Sequence, residues 1–266
     1  MIGAWRLLVR KALLDAGRSP LAAVLGECVA SLMALAVYWF TSKAVGPALS
    51  FSGDYFTFVV VGESALLIPL LLWSGIAASV RSGAADGTLE LFLTLPVRAP
   101  GLLALQAAAM IPREALRVLT SWAIACAVFG IALPAVKLVD ILLLQLFAAP
   151  LFLGLGLVAG AVLLRVGRGH GALAQAGTLG TVLAGAYFPL DVLPEAIRSL
   201  SLRLSPFTSL METARLVLVS GWTPAVFTTI AAWLGAGAVV LCLGWLAMEL
   251  SLASVRRRGT PLVFTA

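Results

Sequence analysis

Few residues in this chain could do chemistry, because charge is scarce and most of it sits at the ends of apolar runs. Glu27 and Glu63 are the exceptions, each set inside such a run. A carboxylate in hydrocarbon is expensive, so it must face an interior or a water-filled path, carry a proton, or meet a cation. Two readings of the pair stay open. One is a path for a substrate or a proton. The other is a position near enough to a membrane surface, or to an arginine, to be neutralised. Arg113, Glu114 and Arg117 follow Pro112 at helical spacing, where opposite charges offset each other. The stretch Asp86-Gly87-Thr88-Leu89-Glu90-Leu91-Phe92-Leu93-Thr94-Leu95-Pro96 is of another kind. Asp86 can accept from the free N–H groups of a first helical turn. Pro96 stops that helix about two turns later. Leu89, Phe92 and Leu93 form its apolar face, with Asp86 and Glu90 fixing cap and register. A helix too short to span a bilayer, held between two runs that can, suits a lever pushed from outside the membrane.

No catalytic constellation accompanies these residues. The phosphate loop Gly-x-x-x-x-Gly-Lys-Ser/Thr is missing, so the chain cannot hydrolyse ATP by that route. His170 is the single histidine and lies in the turn Arg168-Gly169-His170-Gly171. One histidine makes neither a metal site nor half of a serine–histidine pair. Ser74-Gly75 and Ser220-Gly221 lack the earlier glycine of a Gly-x-Ser-Gly setting. Cys28, Cys126 and Cys242 are far apart inside apolar runs and read as packing residues. The expectation is a chain that is not an enzyme and holds no metal or cofactor of its own.

The elements that would position these residues follow from composition. Of 266 residues, 61% are hydrophobic and 11% charged, with a mean hydropathy of +1.07. A soluble domain is nearer half apolar and a quarter charged, so this is an all-α integral membrane protein. The net charge of +6 reflects basic residues beside the ends of apolar runs, which favours a membrane over a nucleic-acid partner. Six spans can be drawn: about 21–40, 55–79, 115–133, 139–164, 172–188 and 225–250. Residues 1–19 read as an interfacial helix, with Ile2, Trp5, Leu8 and Val9 on one side and Arg6, Arg10 and Lys11 elsewhere. The spans of 21–250 form one bundle, and 251–266 is a basic tail, so 1–266 is a single transmembrane domain. Arg6, Arg10, Lys11, Arg18, Arg81, Arg98, Arg165, Arg168 and Arg256 to Arg258 fall on one side of the membrane. Lys43, Lys137, Arg198, Arg203 and Arg215 fall on the other. The positive-inside bias then places both termini, and the Asp86 segment, in the cytoplasm.

Between the fifth and sixth spans, prolines punctuate two short apolar stretches. Pro189, Asp191 and Pro194 precede Ala196 to Leu204, and Pro206 opens a stretch broken by Glu212 and Arg215. Neither is long enough to span, so two short re-entrant helices dipping into the outer leaflet are expected. Gly154, Gly156 and Gly160, and likewise Gly177, Gly180 and Gly185, imply close helix approach within one chain or between two.

These segments, in this order, resemble the permease subunit of type-2 ATP-binding-cassette exporters, the bacterial drug, lipid and polysaccharide efflux systems. Asp86, Gly87, Thr88, Leu89 and Glu90, continuing to Phe92 and Leu93, look like that family's cytoplasmic coupling helix. The run from Phe188-Pro189-Leu190-Asp191 to Glu212-Thr213-Ala214-Arg215 is similar to its external re-entrant region, and 1–19 to its elbow helix. Pro112 with Arg113, Glu114 and Arg117 departs from the pattern and leaves the start of the third span open. The resemblance implies two permease chains, alike or different, pairing in a bacterial or archaeal cytoplasmic membrane. A separate ATPase, carrying ATP and Mg, would dock beneath each coupling helix. The cargo would be hydrophobic or amphiphilic, a drug, lipid or glycan. Alternatives are an ion-coupled secondary transporter using Glu27 and Glu63, or a non-transporting membrane assembly factor.

Overall fold

A computed structural model describes residues 20–45, 55–85, 99–132, 134–167 and 170–258. The expected interfacial helix of 1–19 and the Asp86 segment lie outside the described residues, as do 259–266 of the expected tail. Nine α-helices are described: α1 (Pro20–Val45), α2 (Tyr55–Ala85), α3 (Ala99–Ala109), α4 (Ile111–Phe129), α5 (Ala135–Val166), α6 (His170–Leu183), α7 (Glu195–Leu204), α8 (Pro206–Ser220) and α9 (Pro224–Arg258). One 3₁₀ turn covers Leu190–Val192. The described residues contain no strand.

Four helices are long and apolar enough to cross a membrane, within Val24–Ala44, Tyr55–Ala84, Ala135–Val166 and Pro224–Val255. The boundaries drawn from sequence shift in three places. The expected third span begins earlier, at Ile111, where Met110 turns between α3 and α4. Pro112 fits there because a first helical turn has no partner for its N–H. The expected fifth span stops at Leu183 instead of reaching 188. Gly185, at φ +76°, closes α6: its N–H bonds Val182 O at 3.0 Å while Ala186 N–H bonds Thr181 O at 3.4 Å. That pair of bonds is a Schellman ending, which needs a left-handed residue. α6 is therefore 14 residues, about 21 Å. The helix expected to end near Leu250 runs on through Arg258, because no proline interrupts it after Pro224. The stretch 251–258, expected as tail, is thus helical.

The described residues cluster into two compact units. The first draws on 1–67, 112–145 and 180–223, the second on 68–111, 146–179 and 224–266. In the second, α5 lies at near-backbone contact with two neighbours. A Cβ on Gly154 would stand 2.6 Å from Leu241 N of α9, and one on Gly237 of α9 would stand 2.9 Å from Leu151 N. A Cβ on Gly156 would meet the Leu72 carbonyl oxygen of α2. Apolar chains gain nothing by leaving lipid, so close van der Waals approach through small residues is what holds such helices together. These glycines serve contacts within one chain. Directed bonds add to them: Trp73 Nε1 donates to Leu173 O at 3.1 Å, and Arg165 Nε to Ser251 Oγ at 3.0 Å.

The first unit has such a glycine contact at Gly62, against the Ala186 carbonyl, and adds polar and aromatic ones. Trp122 Nε1 of α4 donates to Ser64 Oγ of α2 at 2.8 Å, and Ser64 Oγ donates onward to Val60 O at 2.6 Å. Phe56 stacks obliquely on Phe129, with centroids 5.1 Å apart. Buried Val59, Val60, Val118 and Ala125 fill the space beside them.

Candidate functional site

The expected coupling residues Asp86, Gly87, Thr88, Leu89, Glu90, Phe92 and Leu93 lie outside the described residues. What is described is how the chain on either side is held. α2 arrives with Val80 buried, and α3 leaves with Ala99, Leu103 and Ala107 buried. A Cβ on Gly101 of α3 would stand 2.9 Å from the Trp245 ring of α9, whose Nε1 donates to Glu249 Oε1 at 2.9 Å. The helices on either side of 86–98 thus pack within the second unit at these residues.

Glu27 pairs with a cation of α4, and Glu63 lies within the influence of that charge. Arg117 Nε of α4 lies 2.9 Å from Glu27 Oε1 of α1 and its Nη1 lies 3.8 Å from Glu114 Oε2. The first is an ion-pair contact rather than an aligned hydrogen bond, since Glu27 Oε1 receives no well-directed N–H. The charge of Arg117 also acts on Glu63 of α2, which accepts a hydrogen bond from the Tyr38 hydroxyl. Tyr38 is in turn hydrogen-bonded to Tyr187, the two rings 6.0 Å apart. Tyr55 Oη donates to Tyr187 O at 3.0 Å. One guanidinium thus pairs with two carboxylates, Glu27 of α1 and Glu114 of α4, while Glu63 of α2 meets the tyrosine pair. This arrangement ties α1 to α4 by an ion pair and α1 to α2 through Tyr38. Tyr38 was legible in principle, because it stands eleven residues beyond Glu27, close to three whole turns and so on the same face. The identity of the shared cation was not, because spacing along one helix says nothing of its neighbour.

The region of Pro189, Asp191, Pro194, Pro206, Glu212 and Arg215 is built in two parts of unlike character. Pro194 is the N-cap of α7, and Pro206 follows the N-cap Ser205 of α8, whose side chain accepts from Thr208 N–H at 3.3 Å. Asp191 and Arg198 pair at 2.9 Å on the surface. α7 leaves Ile197, Leu200 and Leu204 exposed. α8 buries Phe207, Leu210, Met211, Ala214 and Val217, a helical stripe turned inward. Arg215 lies 3.4 Å from Glu212, donates to the Gly185 carbonyl that ends α6, and covers the Phe58 ring of α2 at 4.1 Å. At the other end of α8, Lys137 Nζ of α5 donates to Val217 O at 3.2 Å, and Trp222 Nε1 donates to Asp140 Oδ1 at 2.8 Å. Gly221, at φ +74°, lets the chain turn there. Phe58, Asp140 and Trp222 carry no sequence signal for this clamp, since each is ordinary at the end of a membrane helix. Among the described residues, no group of histidine, cysteine or carboxylate side chains could hold a metal ion.

A comparison with curated proteins finds no match. The family model described as ABC-2 type transporter matches residues 3–219, taking in the Asp86 segment, the Arg117 cluster and both short helices before α9. With most of its length matched and its helices long and apolar, this chain belongs to the ABC-2 type transporter family of membrane permeases.

Proposed function

We propose that the chain is the permease subunit of an ATP-driven exporter that moves a hydrophobic or amphiphilic cargo out of the cytoplasm. The observation that carries this reading is the family match over residues 3–219, in a sequence with no phosphate-binding loop of its own. ATP and Mg belong to a separate ATPase, and two permease chains pair. In this reading α1, α2, α5 and α9 span the membrane, α4 and α6 complete six spans, and both termini face the cytoplasm. α7 and α8 cap the outer side, with the clamp of Arg215 and Lys137 making α8 move with α2 and α5. Asp86, Thr88, Leu89, Glu90, Phe92 and Leu93 receive the push of the ATPase, and α2 and α3 carry it inward. Such a machine needs two discrete packings biased by nucleotide.

The test is co-purification with an ATPase chain, followed by Leu89→Asp and Phe92→Asp. Both should abolish cargo-stimulated ATP turnover in vesicles while the permease stays folded. Normal coupling in both variants would sink the lever assignment. One observation favours a second, ion-coupled reading: the row Glu63–Tyr38–Tyr187 could carry a proton. Glu27 speaks against it, being already engaged by Arg117. Export unchanged in Glu27→Gln, Glu63→Gln would eliminate that alternative.

A further inference from the structure

α1 is the least covered of the four long helices. Only 11% of its most apolar stretch is buried, against 61%, 50% and 22% in α2, α5 and α9. Its uncovered side is not flat. Leu32, Met33, Ala36, Trp39 and Phe40 of α1 form, with Val128 and Phe129 of α4, an open groove of about 520 Å³. That volume falls in the range of small-ligand sites, roughly 300–1,000 Å³. Lys43 stands one turn beyond Trp39, its Nζ 5.4 Å from the centre of the Trp39 ring.

We infer that this groove holds an acyl chain of a phospholipid whose anionic headgroup sits at Lys43. Two observations choose a lipid over a second protein helix. Where helix backbones of the second unit meet directly, a glycine stands at the contact, as Gly154, Gly156, Gly237 and Gly244 show. The groove has bulky walls and Ala36 as its one small residue. A flexible hydrocarbon chain fits such a wall, and a helix backbone cannot approach it. The second observation is charge. Tryptophan and lysine together mark the headgroup level of a membrane, and a lysine there attracts an anionic lipid. Lys43 keeps its ammonium at that level while its stem covers Trp39. The phosphate of the lipid is the partner, and the groove below is its anchor.

The full chain, purified in mild detergent after exposure to vesicles of equal phosphatidylglycerol and phosphatidylcholine, should retain phosphatidylglycerol preferentially by native mass spectrometry. Lys43→Gln should cut that preference about fivefold, the effect of one lysine at a membrane surface, and Lys43→Arg should keep it. Ala36→Trp should fill the groove and remove the retained lipid, with the oligomeric peak unchanged. Equal retention of both lipids by the parent chain would overturn the inference, and so would unaltered retention in Lys43→Gln and Ala36→Trp. Ala36→Cys, in a chain with Cys28, Cys126 and Cys242 replaced by alanine, distinguishes the rival occupant. Disulfide-linked dimers in membranes would show a second copy there and refute the lipid.

Discussion

The two compact units are held together by different physics. In the second, α5 touches α2 and α9 through Gly156, Gly154 and Gly237, so the binding element is shape. In the first, a glycine contact, Gly62 against the Ala186 carbonyl, is outnumbered by polar ones, in which Arg117, Arg215, Lys137 and Trp122 reach carboxylates, carbonyls and a hydroxyl. A glycine contact admits one geometry and fails altogether if the backbone is pushed away. A polar contact can be exchanged for another donor, or weakened by a single bond, and the helices keep most of their packing. The comparison teaches that contacts of backbone against backbone make the second unit stiff within itself. The first unit holds its helices by bonds that can be graded.

The largest effect is therefore expected in the second unit. Gly156→Leu places carbon against the Leu72 carbonyl, a backbone atom with nowhere to go. It should cost upward of about 3 kcal/mol and abolish the monodisperse peak in size-exclusion chromatography. Gly171→Ala, in open space, should leave that peak intact. A stable Gly156→Leu protein would break the contrast between the units. Next comes Arg117→Leu, which removes the shared cation and leaves Glu27 and Glu114 to be hydrated or protonated. A loss of about 1–3 kcal/mol is expected by thermal unfolding in detergent. Adding Glu27→Gln should restore part of it, which marks the effect as electrostatic rather than steric. Trp122→Phe keeps the ring and deletes one buried donor to Ser64. Because Ser64 still donates to Val60 O, the same measurement should register about 1 kcal/mol. Asp191→Asn removes an exposed pair with Arg198. It should shift stability by no more than about 0.5 kcal/mol, and a larger change would mean that the pair fixes the turn before α7.

Part of this architecture was legible in advance. Pro194 and Pro206 announce the starts of α7 and α8, because proline tolerates the first turn of a helix and little else within one. The apolar stripe of Phe207, Leu210, Met211, Ala214 and Val217 shows which face of α8 turns inward. The family resemblance rested on the N-terminal segment, the Asp86 segment and the run from Phe188 to Arg215, and the family match over 3–219 takes in nearly all of them. The early end of α6 was harder to read, since Gly185 is one of several glycines nearby and only its left-handed backbone distinguishes it. The extension of α9 to Arg258 was missed for the opposite reason: a span was assumed to end with its apolar residues, while a helix ends where its backbone bonds do.

By itself the sequence determined that the chain lives in a membrane, that it is helical, and where charge interrupts hydrocarbon. Those are properties of composition and period, which each residue carries wherever it goes. Only the tertiary structure decided that Glu27 answers to Arg117, that Gly156 faces a carbonyl, and that Lys43 crowns a groove. Each of these is a meeting of residues far apart in the chain. Helical periodicity specifies the face a side chain occupies but leaves its neighbour to packing.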